Sequence, residues 1–265
     1  MSYYRELRRR DVFDWMDPLL RKGTFHVRRS DGKLEHGPMY EAYTTPWHHI
    51  RNAQGAKCPY LHRLCFEISP RTPAGQFVPR RCQRCWKVVI RPRTLKELFA
   101  LEDLLVKLDL PSKCGIERRS YSPCSKNRYG GYIYNMSPQE GTDRLKVIRE
   151  LVHNDPGLGE GVDVYLKRGC TEMEMAMGRS DEWKVTDIQN EVEDYLDWLV
   201  VMDVEESGQA KHVLNKVHMT WIEWAAEIGD ETYLEYTGGK PIYDPPVKYE
   251  LEVASPDDPG DPGEA

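Results

Sequence analysis

Between residues 86 and 177 the chain switches repeatedly between a two-residue and a 3.6-residue apolar period. The order of those switches limits the folds open to it. Trp86 to Arg91 (WKVVIR) is short, β-branched and apolar, the pattern of a strand. Thr94 stands where it can cap a helix in which Leu98, Leu101, Leu104, Leu105 and Leu108 recur at helical spacing, and Pro111 stops that helix. Lys113 to Tyr121 reads as a second strand. A turn-rich loop through Pro123 and Asn127 leads to Arg128–Met136 (RYGGYIYNM), a third strand rich in tyrosine. Ser137-Pro138-Gln139-Glu140 is a capping box with proline at the first helical position. It opens a helix through Leu145, Ile148, Leu151 and Val152 that ends at Asn154-Asp155-Pro156-Gly157, and Val162 to Lys167 forms a fourth strand.

The order β-α-β-β-α-β is that of the split βαβ, or ferredoxin-like, arrangement, which predicts strands in the order 4-1-3-2 and both helices on one face. The other face is then free, and strand parity says what it carries. If Val88 and Ile90 meet the helices, the free face holds Lys87, Arg91, Arg128, Tyr132 and Tyr134. Aromatic rings two residues apart with cations around them suit single-stranded nucleic acid, because bases stack on the rings while the cations hold phosphates. The segment RYGGYIY resembles the third-strand motif of RNA-recognition modules at the level of fold, without a residue-for-residue match. The candidate nucleic-acid-binding residues are Lys87, Arg91, Arg93, Arg119, Arg128, Tyr132 and Tyr134. The bland alternative is that tyrosine is simply a good strand former and that the acidic helices downstream pack on this face.

Ahead of the core, residues 58–85 hold four cysteines and few apolar side chains. A metal would explain how such a stretch folds. Cys82-Gln83-Arg84-Cys85 is a CxxC knuckle, and Cys58 and Cys65 lie upstream, giving C-x6-C-x16-C-x2-C, an approximate zinc ribbon. The expected ligands of a structural Zn2+ are Cys58, Cys65, Cys82 and Cys85. His62, His48, His49 and Cys170 are substitutes; Cys170 qualifies because its strand should lie beside the first, near Cys85. An iron–sulfur cluster, a redox CxxC and plain buried thiols are the alternatives. A thioredoxin-like CxxC follows a strand, whereas Cys85 precedes one.

The net charge of −6 conceals a division. Residues 1–135 carry 26 Lys+Arg against 13 Asp+Glu, a net of +13; residues 136–265 carry 11 against 30, a net of −19. A basic half points to a polyanion partner, or else the halves neutralise one another internally. No apolar run approaches the ~18 residues needed to span a bilayer, and residues 1–10 are polar and basic without an apolar signal core. A cytoplasmic protein with no membrane partner is the expectation. Ile188, Val192, Tyr195, Leu196 and Leu199 predict an acidic helix, and Val213, Leu214, Val217, Trp221 and Trp224 another.

The chain lacks a P-loop, GxSxG, HExxH, GxGxxG and the HxE…PCxxC deaminase pattern. A polymerase or cyclase palm would need carboxylates at the end of the first strand and in the central hairpin. Arg91-Pro92-Arg93 stands at the first, and residues 118–136 hold no Asp or Glu. The reading is an α+β protein in four parts: a basic, Cys-containing, zinc-binding region over 1–85, the ferredoxin-like core over 86–177, an acidic helical extension over 178–253 and a disordered tail over 254–265. It is expected to be a non-enzymatic zinc protein that contacts nucleic acid or a nucleoprotein complex. The alternatives are a protein–protein inhibitor or adaptor, of the kind bacteriophages encode, whose partner binds the acidic half, and a metal-dependent nuclease.

Overall fold

The structure, a computed structural model, describes residues 17, 20–23, 25–36, 46–51, 58, 62, 65, 66, 69, 77–117, 128–185, 187–201, 209–244 and 247. It is a mixed α+β fold. Strand β1 (Phe25–Val27), β2 (Leu34–His36) and β3 (Trp47–Ile50) come first, then the single turn α1 (Arg80–Gln83). The central run is β4 (Trp86–Arg91), α2 (Leu95–Leu108), β5 (Ser112–Ile116), β6 (Tyr129–Asn135), α3 (Pro138–Asn154) and β7 (Asp163–Arg168). There follow α4 (Thr171–Met177), α5 (Asp187–Leu199), β8 (Val200–Val201), α6 (Lys211–Glu227) and a 3-10 turn over Glu231–Tyr236. The expected tail over 254–265 lies outside the described residues.

Five strands form an antiparallel sheet in the order β3-β5-β6-β4-β7. Strand β4 is the hub. Val88 pairs with Ile133 on one side and Leu166 on the other, and Val89 pairs with Tyr132 and Tyr165. The two expected N-caps are present: Thr94 Oγ1 accepts from the Glu97 amide at 3.2 Å, and Ser137 Oγ from the Glu140 amide at 3.1 Å. Glu97 and Glu140 reach back to the amides of Arg93 and Met136, at 2.6 and 2.8 Å. Leu95, Leu98, Leu101 and Leu105 of α2 bury fully against Val88, Ile90, Ile116 and Ile133, with Ile148 and Val152 of α3 in the same core.

Strand β3 is an addition that the turn-rich sequence of 24–57 does not announce. It pairs with β5, Trp47 opposite Gly115 and His48 opposite Cys114. A Cβ on Gly115 would collide with the Pro46 carbonyl oxygen and meet Trp47 Cε3 at 2.8 Å, so only glycine lets the edge strand approach. Helix α6 closes this end: Trp221 is wholly buried and its indole N–H donates to the Pro46 carbonyl at 2.6 Å.

A second apolar cluster joins Phe25, Leu34, Cys65, Phe77, Val78, Cys82, Met173, Trp183, Val192 and Leu196. It draws the N-terminal residues, the knuckle turn and the acidic helix α5 into one body. No helix among the described residues is long and apolar enough to cross a membrane.

Gly115→Ala is expected to lower stability by about 1–3 kcal/mol, the usual range for overpacking. It should do so by displacing β3, read as a lower denaturation midpoint together with faster amide exchange in residues 47–50; unchanged exchange there would contradict the account of β3.

Candidate functional site

The knuckle is built by short-range hydrogen bonding. Pro79 precedes α1, the Gln83 amide donates to the Pro79 carbonyl at 2.9 Å, and the Cys85 amide donates to the Cys82 carbonyl at 3.3 Å. The chain then enters β4. Because β4 runs antiparallel to β7, the start of one lies beside the end of the other, with Trp86 opposite Arg168. The Gly169 amide donates to the Cys85 carbonyl at 2.8 Å, and Arg168 Nε donates to the Gln83 carbonyl at 2.8 Å. Gly169 has a φ of +65°, and a Cβ there would run into the Trp183 ring. This left-handed turn delivers Cys170 to the knuckle.

Around that junction the structure gathers thiols and one imidazole. His62 Nε2 lies 3.4 Å from Cys170 Sγ and hydrogen-bonds Cys82 as well, and its Nδ1 lies 3.5 Å from Glu172 Oε2. Cys58, Cys82 and Cys170 all act electrostatically on the Cys85 thiol. Of the four cysteines read as zinc ligands, Cys58, Cys82 and Cys85 interact electrostatically here. Cys65 is fully buried in the second apolar cluster; its charged neighbours are Cys82 and Glu193. Cys170 and His62 stand at the centre. His49 is on β3, across the sheet, where burial, Lys113 and His48 push it down to about 3.

The electrostatics are polarised. Burial works against the Cys170 thiolate, but Lys87, His62 and Lys113 outweigh it and bring this thiol down to about 6. Burial pushes Cys85 up to about 12 and raises Cys82. Burial also opposes charge on His62, yet its contacts with Cys170, Cys82 and Glu172 carry it up to about 12. Lys87 is 7% exposed. Burial opposes its charge too, and the groups that raise it well above the ordinary lysine range are Cys170, Cys85, the Tyr134 phenol and Cys58.

The thiols therefore adjoin one end of the sheet face that the core helices leave uncovered. That face carries a run of rings and cations across all five strands. Lys113 Nζ sits 4.3 Å from the Trp47 ring and 5.4 Å from the Tyr132 ring. Arg91 lies 5.6 Å over Tyr132 and donates to the Tyr165 hydroxyl at 3.3 Å, and Lys87 lies 5.5 Å over Tyr134. Trp47 and Tyr132 are in ring contact at 5.7 Å. Trp47, Arg91, Lys113, Tyr132, Tyr134 and Tyr165 are half-buried, whereas Lys87 and Val89 are buried, so the thiol end is enclosed and the Trp47–Arg91 end is accessible.

Of the residues read as nucleic-acid contacts, Lys87, Arg91, Tyr132 and Tyr134 share this face. Arg93 does not: its guanidinium is bound to the Glu97 carboxylate at 2.5 and 2.9 Å, at the start of α2. Arg128 immediately precedes β6, where its carbonyl accepts from the Glu117 amide at 2.8 Å. Arg119 lies outside the described residues. Trp47, Lys113 and Tyr165 were missed by the sequence reading. Tyr165 had a signal, since it alternates with Lys167 in YLKR; Trp47 had none without knowledge of β3.

Besides its apolar packing, the acidic helix α5 forms ion pairs with the knuckle turn. Arg80 meets Glu193, Asp194 and Asp197 at 3.0, 2.7 and 3.1 Å. Glu193 is buried, which pushes its carboxyl up to about 7 although the Arg80 amide and guanidinium pull the other way. No protein-family model matches the chain, and comparison with curated proteins and with solved structures found no match.

Glu193 sets a pH dependence with a defined sign. Its folded-state value, about 7, stands above the 4.5 of a free glutamate, so the folded protein holds the extra proton between those values. The stabilisation is complete below pH 4.5 and is lost as pH rises towards 7, by at most about 1.4 kcal/mol per pH unit. Denaturation midpoints across this window should fall in the wild type and show a shallower fall in Glu193→Gln; parallel curves would reject the assignment.

Proposed function

We propose that this chain is a zinc-anchored nucleic-acid-binding protein with a ferredoxin-like core over residues 86–168. The β-α-β-β-α-β order and the strand order β5-β6-β4-β7 support the core. Cys58, Cys82, Cys85 and Cys170 are the proposed zinc ligands, on the ground that they act on one another electrostatically, with His62 beside them. Four thiolates suit a closed, structural tetrahedral site. The charge balance fits: four thiolates around a dication leave two negative charges, and the buried Lys87, with Lys113 beyond it, answers them. The zinc supplies cohesion to a region with few apolar residues of its own.

The single observation that carries the nucleic-acid reading is the stripe Trp47–Lys113–Tyr132–Arg91–Tyr165. It alternates rings with cations across neighbouring strands on a half-exposed face. Stacked bases would lie on Trp47 and Tyr132, and Lys113 and Arg91 would face phosphates. Single strands are favoured because only unpaired bases offer their faces to such rings. On this reading helix α5 is a counterweight that engages Arg80 and not the rings and cations of the stripe.

A second reading rests on one observation. Cys170, His62 and Glu172 form a thiol–imidazole–carboxylate series at 3.4 and 3.5 Å, the order of groups that activates a cysteine nucleophile. The two readings part on metal content, because a thiolate bound to zinc resists alkylation and a free activated one reacts fast.

Purified protein should hold zinc by elemental analysis and hold one equivalent less in Cys82→Ser/Cys85→Ser, with a lower denaturation midpoint. A metal-free wild type with a rapidly alkylated Cys170 would replace the zinc reading with the nucleophile. Single-stranded oligonucleotide binding should weaken steeply with salt. It should fall by about 1–3 kcal/mol, roughly 5- to 150-fold, in Tyr132→Ala; binding unaffected by both salt and Tyr132→Ala would reject the stripe as the interface.

A further inference from the structure

Among the described residues one group of three ligand atoms meets at metal-binding separation, on the face of the sheet opposite the thiols. Glu102 is on α2, His48 on β3 and His218 on α6. His48 Nδ1 lies 2.5 Å and His218 Nε2 2.7 Å from the same carboxylate oxygen, Glu102 Oε1. The three ligand atoms are within 4.8 Å of one another. Glu102 takes a position on the buried side of α2 among Leu98, Leu101 and Leu105, where an apolar residue would serve packing better.

The surroundings hold these groups in place. The His218 ring packs edge-on against Phe99 at 5.3 Å and against Trp221 at 5.1 Å. The Gln209 side chain brackets His48 on the backbone, accepting from the His49 amide at 2.8 Å and donating to the Trp47 carbonyl at 3.0 Å. Three chain-distant elements thus present two imidazoles and a carboxylate to one point, with rotamers and strand position fixed in advance. The side chains of Glu102 and His48 are 9% and 12% exposed and that of His218 34%, so the group is closed on the core side and reachable past His218.

We propose that His48, Glu102 and His218 bind a divalent transition-metal ion, Zn2+ foremost, in a site separate from the thiol cluster. Two imidazoles and one carboxylate are the donor set of zinc sites that keep a fourth position for water, and of the facial triad that holds Fe2+. The open position faces the His218 side. This site does not depend on the thiol centre: it shares no residue with it and draws on borderline nitrogen and oxygen donors in place of thiolates.

The test is zinc per chain in the full-length protein, loaded with Zn2+ and dialysed, with circular dichroism as the check on folding. Wild type is expected to retain two equivalents. His218→Ala, His48→Ala and Cys82→Ser/Cys85→Ser should each retain one. Titration of Cys82→Ser/Cys85→Ser with Co2+ should give visible cobalt absorption that the added His218→Ala abolishes. His218→Gln, which keeps the bulk of the side chain, replaces His218→Ala if that variant does not fold. If Cys82→Ser/Cys85→Ser does not fold, the histidine variants against wild type still decide. A wild type without zinc, or zinc unchanged by both histidine substitutions, overturns the proposal. One ion that survives His218→Ala and is lost in Cys82→Ser/Cys85→Ser rejects this site and keeps the thiol centre. One ion with the reverse behaviour keeps this site and rejects the thiol centre.

Discussion

The antiparallel pairing of β4 with β7 is the constraint on which the thiol cluster and the ring-and-cation stripe both depend. It sets the start of β4 against the end of β7, so the knuckle that precedes one strand meets the turn that follows the other. The same pairing places Val89 between Tyr132 and Tyr165 and Lys87 between Tyr134 and Lys167. A slip of one residue would exchange the two faces of β4. Val88 and Ile90 would leave the leucine core, and Lys87 and Arg91 would be driven into it. Burial of the apolar face and assembly of the polar face are therefore one event, fixed by the alternation in WKVVIR.

That coupling explains what was legible in the sequence. Trp86–Arg91 and the caps Thr94 and Ser137 are local signals, and local signals determined those elements closely. The nearness of Cys170 to Cys85 was also readable, because it follows from strand order alone. The edge strand β3 was not. Four residues flanked by turn signals carry no period of their own, and what holds them is a distant glycine, Gly115, and an indole 175 residues away on α6. With β3 went Trp47, hence one end of the stripe, and the place of His48, which the sequence offers only as a substitute ligand for the cysteines and not as a neighbour of Glu102 and His218. The described part of the second strand spans Ser112–Ile116, and residues 118–121 of the expected strand lie outside the described residues.

Cys65 and Cys170 differ in what surrounds them. The separation of Cys65 from the knuckle fits a ligand pair as well as that of Cys58 does. Its surroundings are Phe25, Leu34, Phe77 and Val192, and a thiol buried among such side chains behaves as a small hydrophobe. Cys170, eighty-five residues beyond the knuckle, has the polar neighbours that Cys65 lacks: His62 at 3.4 Å, with Lys87 and Lys113 acting on it. Choosing among seven cysteines takes the charge of the neighbourhood as well as the count of residues between them.

The division of charge along the chain has a matching structural logic. If the halves existed only to neutralise each other, the cations of the sheet would meet the carboxylates of α5. Instead α5 spends Glu193, Asp194 and Asp197 on Arg80, a residue of the knuckle turn. Arg91, Lys87 and Lys113 lie chiefly among phenols, an indole and thiols, with Glu117 and Glu172 acting on the lysines from further off. A ring attracts a cation through its quadrupole without cancelling the charge, so a lysine or arginine held over a ring still attracts a phosphate. Carboxylates would hold those side chains as firmly and leave nothing for a ligand. On the proposed nucleic-acid reading, the rings of the sheet would leave Arg91 and Lys113 to attract a polyanion, whereas the carboxylates of α5 bind Arg80 internally.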